Sequence, residues 1–328
     1  VNAFEYIRAQ SEASAVDQAR APDSRYLAGG TTLVDLMRLE VMKPARIVDL
    51  GALPLVQIEP MADGGVRIGA LAKNSDVAAH RAIVEGFPVL AEALLAGASP
   101  QVRNMASVGG NMLQRTRCPY FRDLASPCNK REPGSGCAAL DGYTRSHAIL
   151  GASEKCIATH PSDMCVALAA LEAVVHVRAE DGKTRQIAFA DFHTLPGAHP
   201  EIENVLKPHE LITHVELPAR PFAARSRYVK VRDRASFAFA LASAAVALEI
   251  EGRTIRQARV ALGGVATKPW RAVEAEQALA NRVISIETFE RAAAAALAGA
   301  QTRPDNAFKV QIAQRAIVRA LARAGGLA

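Results

Sequence analysis

Four of the five cysteines fall close together, at Cys118, Cys128, Cys137 and Cys156, in the stretch QRTRCPYFRDLASPCNKREPGSGCAALDGYTRSHAILGASEKC (114–156). Thiolates are ligands for iron–sulfur clusters and for zinc, and they pair as disulfides. The spacings match neither ferredoxin arrangement nor the paired C-x-x-C of zinc sites. Spacing alone therefore leaves a cluster, a zinc or disulfide site and free thiols all open. The stretch is rich in Gly, Pro and charge and has little periodicity, and a long irregular segment inside a compact chain is usually functional or disordered. Cys165 stands apart among Val166, Leu168 and Leu171, where a small apolar thiol belongs to a core.

Two glycine-rich turns form a second constellation. AGGTTL (28–33) follows a short apolar run and precedes a helical pattern, where unpaired backbone N–H groups can face an anion. ASVGGN (106–111) offers similar chemistry: Gly109 and Gly110 let the backbone approach a ligand, and Ser107 and Asn111 can donate from their side chains. Read alone, each is more readily a plain tight turn. Neither a G-x-G-x-x-G fingerprint nor a G-x-x-x-x-G-K-[ST] loop is present, so spacing by itself does not establish phosphate binding.

Apolar spacing assigns the elements that must hold these groups. Strands are expected at 46–50 and 66–71, and a helix at 31–41. A helical region follows at 75–99, broken near Gly86 and Pro88. After the cysteines come a helix at 161–173, started by Ser162 or Asp163, and a strand at 174–179. An interrupted strand at 237–252 and a second at 255–266 precede Ala-rich helices at 271–281, 286–299 and 306–324. Strands followed by helices imply a separate α+β unit, with the Pro-bearing stretch 216–225 as the linker.

The 328 residues suffice for two domains, and half of them are apolar. The net charge is +6, of which residues 101–155 supply +4: eight Lys or Arg less four Asp or Glu. Aromatics are 5% of the chain and do not interleave with the basic residues, which argues against nucleic acid. No apolar run reaches membrane-spanning length, and VNAFEYIRAQ lacks the secretory pattern. His147, His193, His199, His209 and His214 show no H-x-x-x-H spacing. No G-x-S-x-G elbow and no acid–base pair stands out. His160, before Pro161, is a lesser candidate for cofactor contact.

Many motifs occur in a characteristic order: AGGTTLVDLM, RIGAL, ASVGGNMLQRTRCPYF, PCNK, GSGCAALDG, HAILG, CIATHPSD, KVRDRASFAFAL and ARVALGGVATKPWRA. Together they resemble the FAD-binding medium subunit of the molybdenum hydroxylases, and within that group the bacterial three-subunit aldehyde oxidoreductases of periplasmic type. The resemblance implies an α+β fold: a vanillyl-alcohol-oxidase (PCMH) type FAD-binding domain over 1–218, with subdomains of about 1–55 and 56–218 and an insertion at 114–156. A CO dehydrogenase flavoprotein C-terminal domain is implied over 223–328.

The same resemblance implies site residues. FAD would be bound by Ala28, Gly29, Gly30, Thr31, Thr32 and Leu33 in the first turn and by Ser107, Gly109, Gly110 and Asn111 in the second. Asp163 would lie by the ribityl and adenosine side, and Lys230 would reach the flavin ring, where a cation stabilises the reduced form. Cys118, Cys128, Cys137 and Cys156 would hold a [4Fe-4S] cluster, with Arg115, Arg117, Lys130, Arg131 and Arg145 offsetting its negative charge.

The implied role is electron transfer. A large subunit with the molybdenum cofactor would oxidise the aldehyde, a small subunit with [2Fe-2S] clusters would relay electrons, and the FAD here would pass them to an external acceptor. The compartment would be periplasmic by co-export with a partner, or cytoplasmic. The flavin subunit of a xanthine dehydrogenase or hydroxybenzoyl-CoA reductase type enzyme is the alternative. Beyond these stand a self-sufficient flavin oxidase and a colourless scaffold stapled by zinc.

Overall fold

The computed structural model describes residues 1–327, which build three sheets in chain order. The first is parallel, with β3 (Arg46–Asp49) between β1 (Glu5–Arg8) and β2 (Ser24–Leu27). Its strands are joined by helices Glu12–Gln18 and Leu33–Arg38. Ser11 and Ser14 form a reciprocal capping box that starts the first helix. The small core under this sheet, with Ala15, Val16 and Val48, extends to Leu71 and Leu211 of the next unit.

The second sheet is antiparallel, in the order β4 (Ile58–Pro60), β5 (Val66–Gly69), β8 (Leu211–Leu217), β6 (Val174–Arg178), β7 (Thr184–Ala188). One face carries Val175, Val177, Val215 and Leu217 into a core with helices Pro88–Ala96 and Asp163–Ala170. The alternate positions His176, His214 and Glu216 lie on the opposite, more open face, as period-two geometry requires. The region expected as one broken helix at 75–99 is three: Asn74–Ala79, Arg81–Gly86 and Pro88–Ala96. Pro88 excludes Phe87 from helical geometry, and His80 adds a break that apolar spacing did not reveal. The helix expected over 31–41 is shorter, Leu33–Arg38.

The third sheet is also antiparallel, in the order β12 (Trp270–Arg271), β11 (Thr254–Gly263), β10 (Ala242–Glu251), β9 (Ser226–Val231). Helices Val273–Leu279, Ile286–Ala296 and Phe308–Gly325 cover one face, to which β10 contributes Ala244, Val246 and Leu248. Ala245 and Ala261 point the other way, into the core of the second unit. A strand covered on both faces reads as a continuous apolar run rather than an alternation. The expected strand at 237–252 begins only at Ala242, because Phe237 has φ +49° and stands exposed beside Phe239. The expected linker 216–225 is no free tether. Glu216 and Leu217 complete β8, and Phe222 is buried. No helix among the described residues is long and apolar enough to cross a membrane.

Lys309 ties the last helix to the cysteine segment. It is wholly buried and donates to the carbonyls of His147 (2.9 Å) and Gly264 (2.7 Å). Burial, with Arg145 nearby, pushes its amine down to about 7. The folded value lies below the ordinary 10.5, so unfolding takes up a proton between those limits and stability rises with pH across them. Denaturant midpoints of the wild type and Lys309→Met should therefore diverge in the wild type's favour, by roughly 1–3 kcal/mol between neutral pH and pH ~10, with a constant gap below neutrality. A gap that ignores pH would contradict this.

Candidate functional site

The first glycine-rich turn leaves β2 and enters helix Leu33–Arg38. Gly30 has φ +72°, a left-handed conformation natural to glycine. Gly29 packs on the backbone of the second unit so closely that a Cβ there would stand 1.9 Å from the Met105 carbonyl oxygen. Among the described residues the amides of Gly29, Gly30, Thr31, Thr32 and Leu33 find no acceptor, whereas Val34 and Leu36 already donate to Gly30 and Thr32. Free amides on adjoining residues are what an anion requires.

The second turn differs from expectation. Most of its amides are already engaged: Val108 donates to Ala72 O, Gly109 to Ala70 O, Gly110 to Ser107 Oγ and Asn111 to Ser107 O. What remains for a ligand is the backbone amide and hydroxyl hydrogen of Ser107 and the amide nitrogen of Asn111, whose Oδ1 accepts from Ser162 (2.7 Å) and Gln114 (2.5 Å). Gly109 lies against Ala70, where a Cβ would meet its backbone oxygen at 3.2 Å.

Both turns line one cleft. A region of about 250 Å³ is bounded by Tyr26, Ala28–Leu33, Ser107, Gly109 and Gly110. A larger region of about 760 Å³ is bounded by Asn111, Asp163, Lys230, Phe237 and Phe239, and shares Thr31, Thr32 and Gly110 with the first. The structure thus brings all twelve residues singled out for the flavin to the wall of one cleft. Sequence reasoning missed Asp35, Arg103, Arg122, Phe237 and Phe239 of the same wall. The exposed aromatics beside KVRDR were the available signal.

Asp163 and Lys230 were expected at different parts of a ligand, yet they form one ion pair of 2.7 Å. Their side chains are 8% and 3% exposed. Asp163 opens helix Asp163–Ala170, capped by Ser162, and also accepts from Tyr228 (2.5 Å). Burial beside that carboxylate holds the Tyr228 hydroxyl well above its ordinary range. Lys230 also donates to Ala96 O at 3.1 Å, which leaves one proton for anything in the cleft.

The four cysteines are free thiols. Cys128 and Cys137 oppose each other across an isolated bridge, and Cys118 Sγ lies 3.2 Å from His147 Nε2. Burial, with the neighbouring cysteines adding to it, pushes Cys118 up to about 12 and raises Cys156. Two of the four are buried and two half-buried, and four unpaired thiols are a donor set for an iron–sulfur cluster or for zinc.

The basic residues are already paired. Arg117 and Arg122 both grip Asp35 (3.0 and 2.8 Å), Arg115 and Lys130 meet Glu203, and Arg145 meets Asp233 (2.6 Å). Arg131 donates to the carbonyls of Tyr120, Phe121 and Ser126. The local excess is thus balanced largely by acids from outside the segment. Cys165 is wholly buried in its helix, as expected. His160 stands edge-on to His193 and lines a cavity of about 120 Å³ that reaches from Cys118 to Asp163.

Removing one member of the buried pair strands the other. Lys230→Met should lower unfolding stability by about 3–5 kcal/mol, and the double change Lys230→Met with Asp163→Asn should recover much of that loss. Chemical denaturation of the wild type and both variants checks this, and equal losses in single and double variants would refute the coupling.

Comparison with known proteins agrees with this geometry. Residues 2–220 match the FAD binding domain in molybdopterin dehydrogenase, and residues 227–324 match the CO dehydrogenase flavoprotein C-terminal domain. The chain is 49% identical to the aldehyde oxidoreductase FAD-binding subunit PaoB of Escherichia coli (strain K12), covering 99% of each chain. It is 26% identical to the carbon monoxide dehydrogenase medium chain of Hydrogenophaga pseudoflava, over 97% of this chain and 96% of the other. A solved carbon monoxide dehydrogenase from that organism superposes with a TM-score of 0.77 at 25% identity, over 99% and 98% of the two chains. Quinoline 2-oxidoreductase from Pseudomonas putida 86 gives 0.77 at 23% identity over the same shares, a likeness of fold. The chain belongs to the family of FAD-binding domains of molybdopterin dehydrogenases, followed by a CO dehydrogenase flavoprotein C-terminal domain, and is a subunit of the molybdenum hydroxylase type of oxidoreductase.

Proposed function

We propose that this chain is the electron-transfer subunit of a heterotrimeric molybdenum aldehyde oxidoreductase, carrying FAD in the cleft and a [4Fe-4S] cluster at Cys118, Cys128, Cys137 and Cys156. Its partners are a large subunit with the molybdenum cofactor and a small subunit with [2Fe-2S] clusters. The observation that carries this reading is the 49% identity, over 99% of both chains, to an aldehyde oxidoreductase FAD-binding subunit. The flavin domain is assigned to 1–218 and the C-terminal domain to 223–328. When bound, the FAD accepts electrons in pairs and releases them to an external acceptor, while the cluster exchanges them singly.

The chain's own groups then have definite tasks. The amides of Gly29 to Leu33 hold the diphosphate, assisted by the Ser107 hydroxyl and the Asn111 amide. Asp163, itself held by Tyr228, fixes Lys230 so that its remaining proton would be available to a flavin in the cleft. Phe237 and Phe239 shield the cleft from water. At the cysteines, ligation needs thiolates, so loading releases protons that burial otherwise retains. His147 beside Cys118 and Lys309 behind His147 hold that loop in register. The 120 Å³ cavity lined by both Cys118 and Asp163 supports a cluster placed near the flavin.

Anaerobic titration with an aldehyde tests the role. The flavin should bleach in the assembled complex and stay oxidised in this chain alone. Bleaching in the isolated chain would identify a self-sufficient oxidase instead. Chemical analysis of the isolated chain should find about four irons per flavin, lost in Cys128→Ser with the flavin retained. Zinc in place of iron would refute the cluster.

A further inference from the structure

On the more open face of the second sheet, His176, His214 and Glu216 come together. His176 on β6 is the register partner of His214 on β8, and Glu216 lies two residues further along β8 on the same face. The two imidazoles stack with centroids 4.1 Å apart. One ligand atom from each of the three residues falls within 4.8 Å of the other two. The Nε2 atoms of His176 and His214 are enclosed and lack a formed hydrogen bond. Glu216 Oε2 lies 3.0 Å from His176 Nε2, and Oε1 lies 3.6 Å from His214 Nε2. The side chains are 13%, 23% and 19% exposed, so an ion can reach them.

The backbone prepares this arrangement. The register shifts next to His176, where Val177 pairs with Ile212 and leaves Thr213 as the extra residue of a bulge. The Thr213 hydroxyl donates to the His176 carbonyl at 3.3 Å, so its lone pair faces His214 Nδ1 at 3.0 Å. His214 therefore donates from Nδ1 and turns the lone pair of Nε2 toward Glu216. A second ring nitrogen fixed by an outer partner is the arrangement that metal-binding histidines share.

We propose that His176, His214 and Glu216 bind a divalent transition-metal ion of the zinc type, with Thr213 as a positioning residue and the fourth position open to water. Two imidazoles and a carboxylate with one open position are a recognised zinc donor set. Arg67, which donates to Glu216 Oε1 at 3.0 Å and 3.2 Å, competes with the ion for that carboxylate.

Equilibrium dialysis of the full chain against zinc(II) tests the site. The wild type should hold one zinc that His176→Ala and His214→Ala each lose. Thr213→Val should weaken that binding by about 10–100-fold, and Arg67→Ala should tighten it. Cobalt(II) separates this site from the cysteines: visible d–d bands without thiolate charge-transfer absorption should appear in the wild type and vanish in His214→Ala. Equal metal uptake by the wild type and both histidine variants, or cobalt absorption of thiolate type alone, would overturn the proposal. So would Thr213→Val and Arg67→Ala variants that bind zinc as the wild type does. Circular dichroism of the variants confirms that each compared chain is folded.

Discussion

A carboxylate and an ammonium buried together are stable only while both are present, and the cleft depends on such a pair. Asp163 starts a helix of the second unit, Lys230 belongs to the third sheet, and their 2.7 Å contact crosses the boundary between the domains. Tyr228 and the Ala96 carbonyl complete the hydrogen bonding that a buried ion pair needs. The pair therefore locks the C-terminal domain in place and aims a cation at the cleft. A similar economy appears at Gly29, where a missing side chain lets the first unit rest on the Met105 carbonyl while the next amides stay free.

The cysteine segment has little regular structure, so its shape must come from side chains bonding to backbone and from ion pairs. Asp35 lies on the helix that follows the first glycine turn, and it holds both Arg117 and Arg122, which flank Cys118. Arg131 gathers three carbonyls of the loop, and Lys309 anchors its far side through His147. Position at the cysteines is thus coupled mechanically to position at the first glycine turn.

Much of this was legible from residue order. The glycine turns, the cysteine quartet and the helix started by Ser162 stand out because each depends on local chemistry. The flavin candidates that motif order named all line the cleft, whereas Asp35, Arg103, Arg122, Phe237 and Phe239 of the same wall were not named. What escaped depends on tertiary pairing. Asp163 and Lys230 are far apart in sequence, so nothing local announces that each neutralises the other. The amides of ASVGGN look as free as those of AGGTTL until Ala70 and Ala72 are seen accepting from them. The cluster of His176, His214 and Glu216 has no linear spacing motif, since half of it comes from a cross-strand partner and a bulge. The early start expected for β10 failed at Phe237, where a positive φ replaces the strand that its aromatic neighbours suggested.

The central claim is that one cleft and one cysteine array in this chain hold two redox groups that exchange electrons. The visible absorption spectrum of the purified protein, before and after anaerobic dithionite, tests it most directly. The account predicts flavin bands on a broad iron–sulfur absorption, with both bleaching on reduction. A protein that is colourless, and remains so after FAD and iron are supplied, would contradict it.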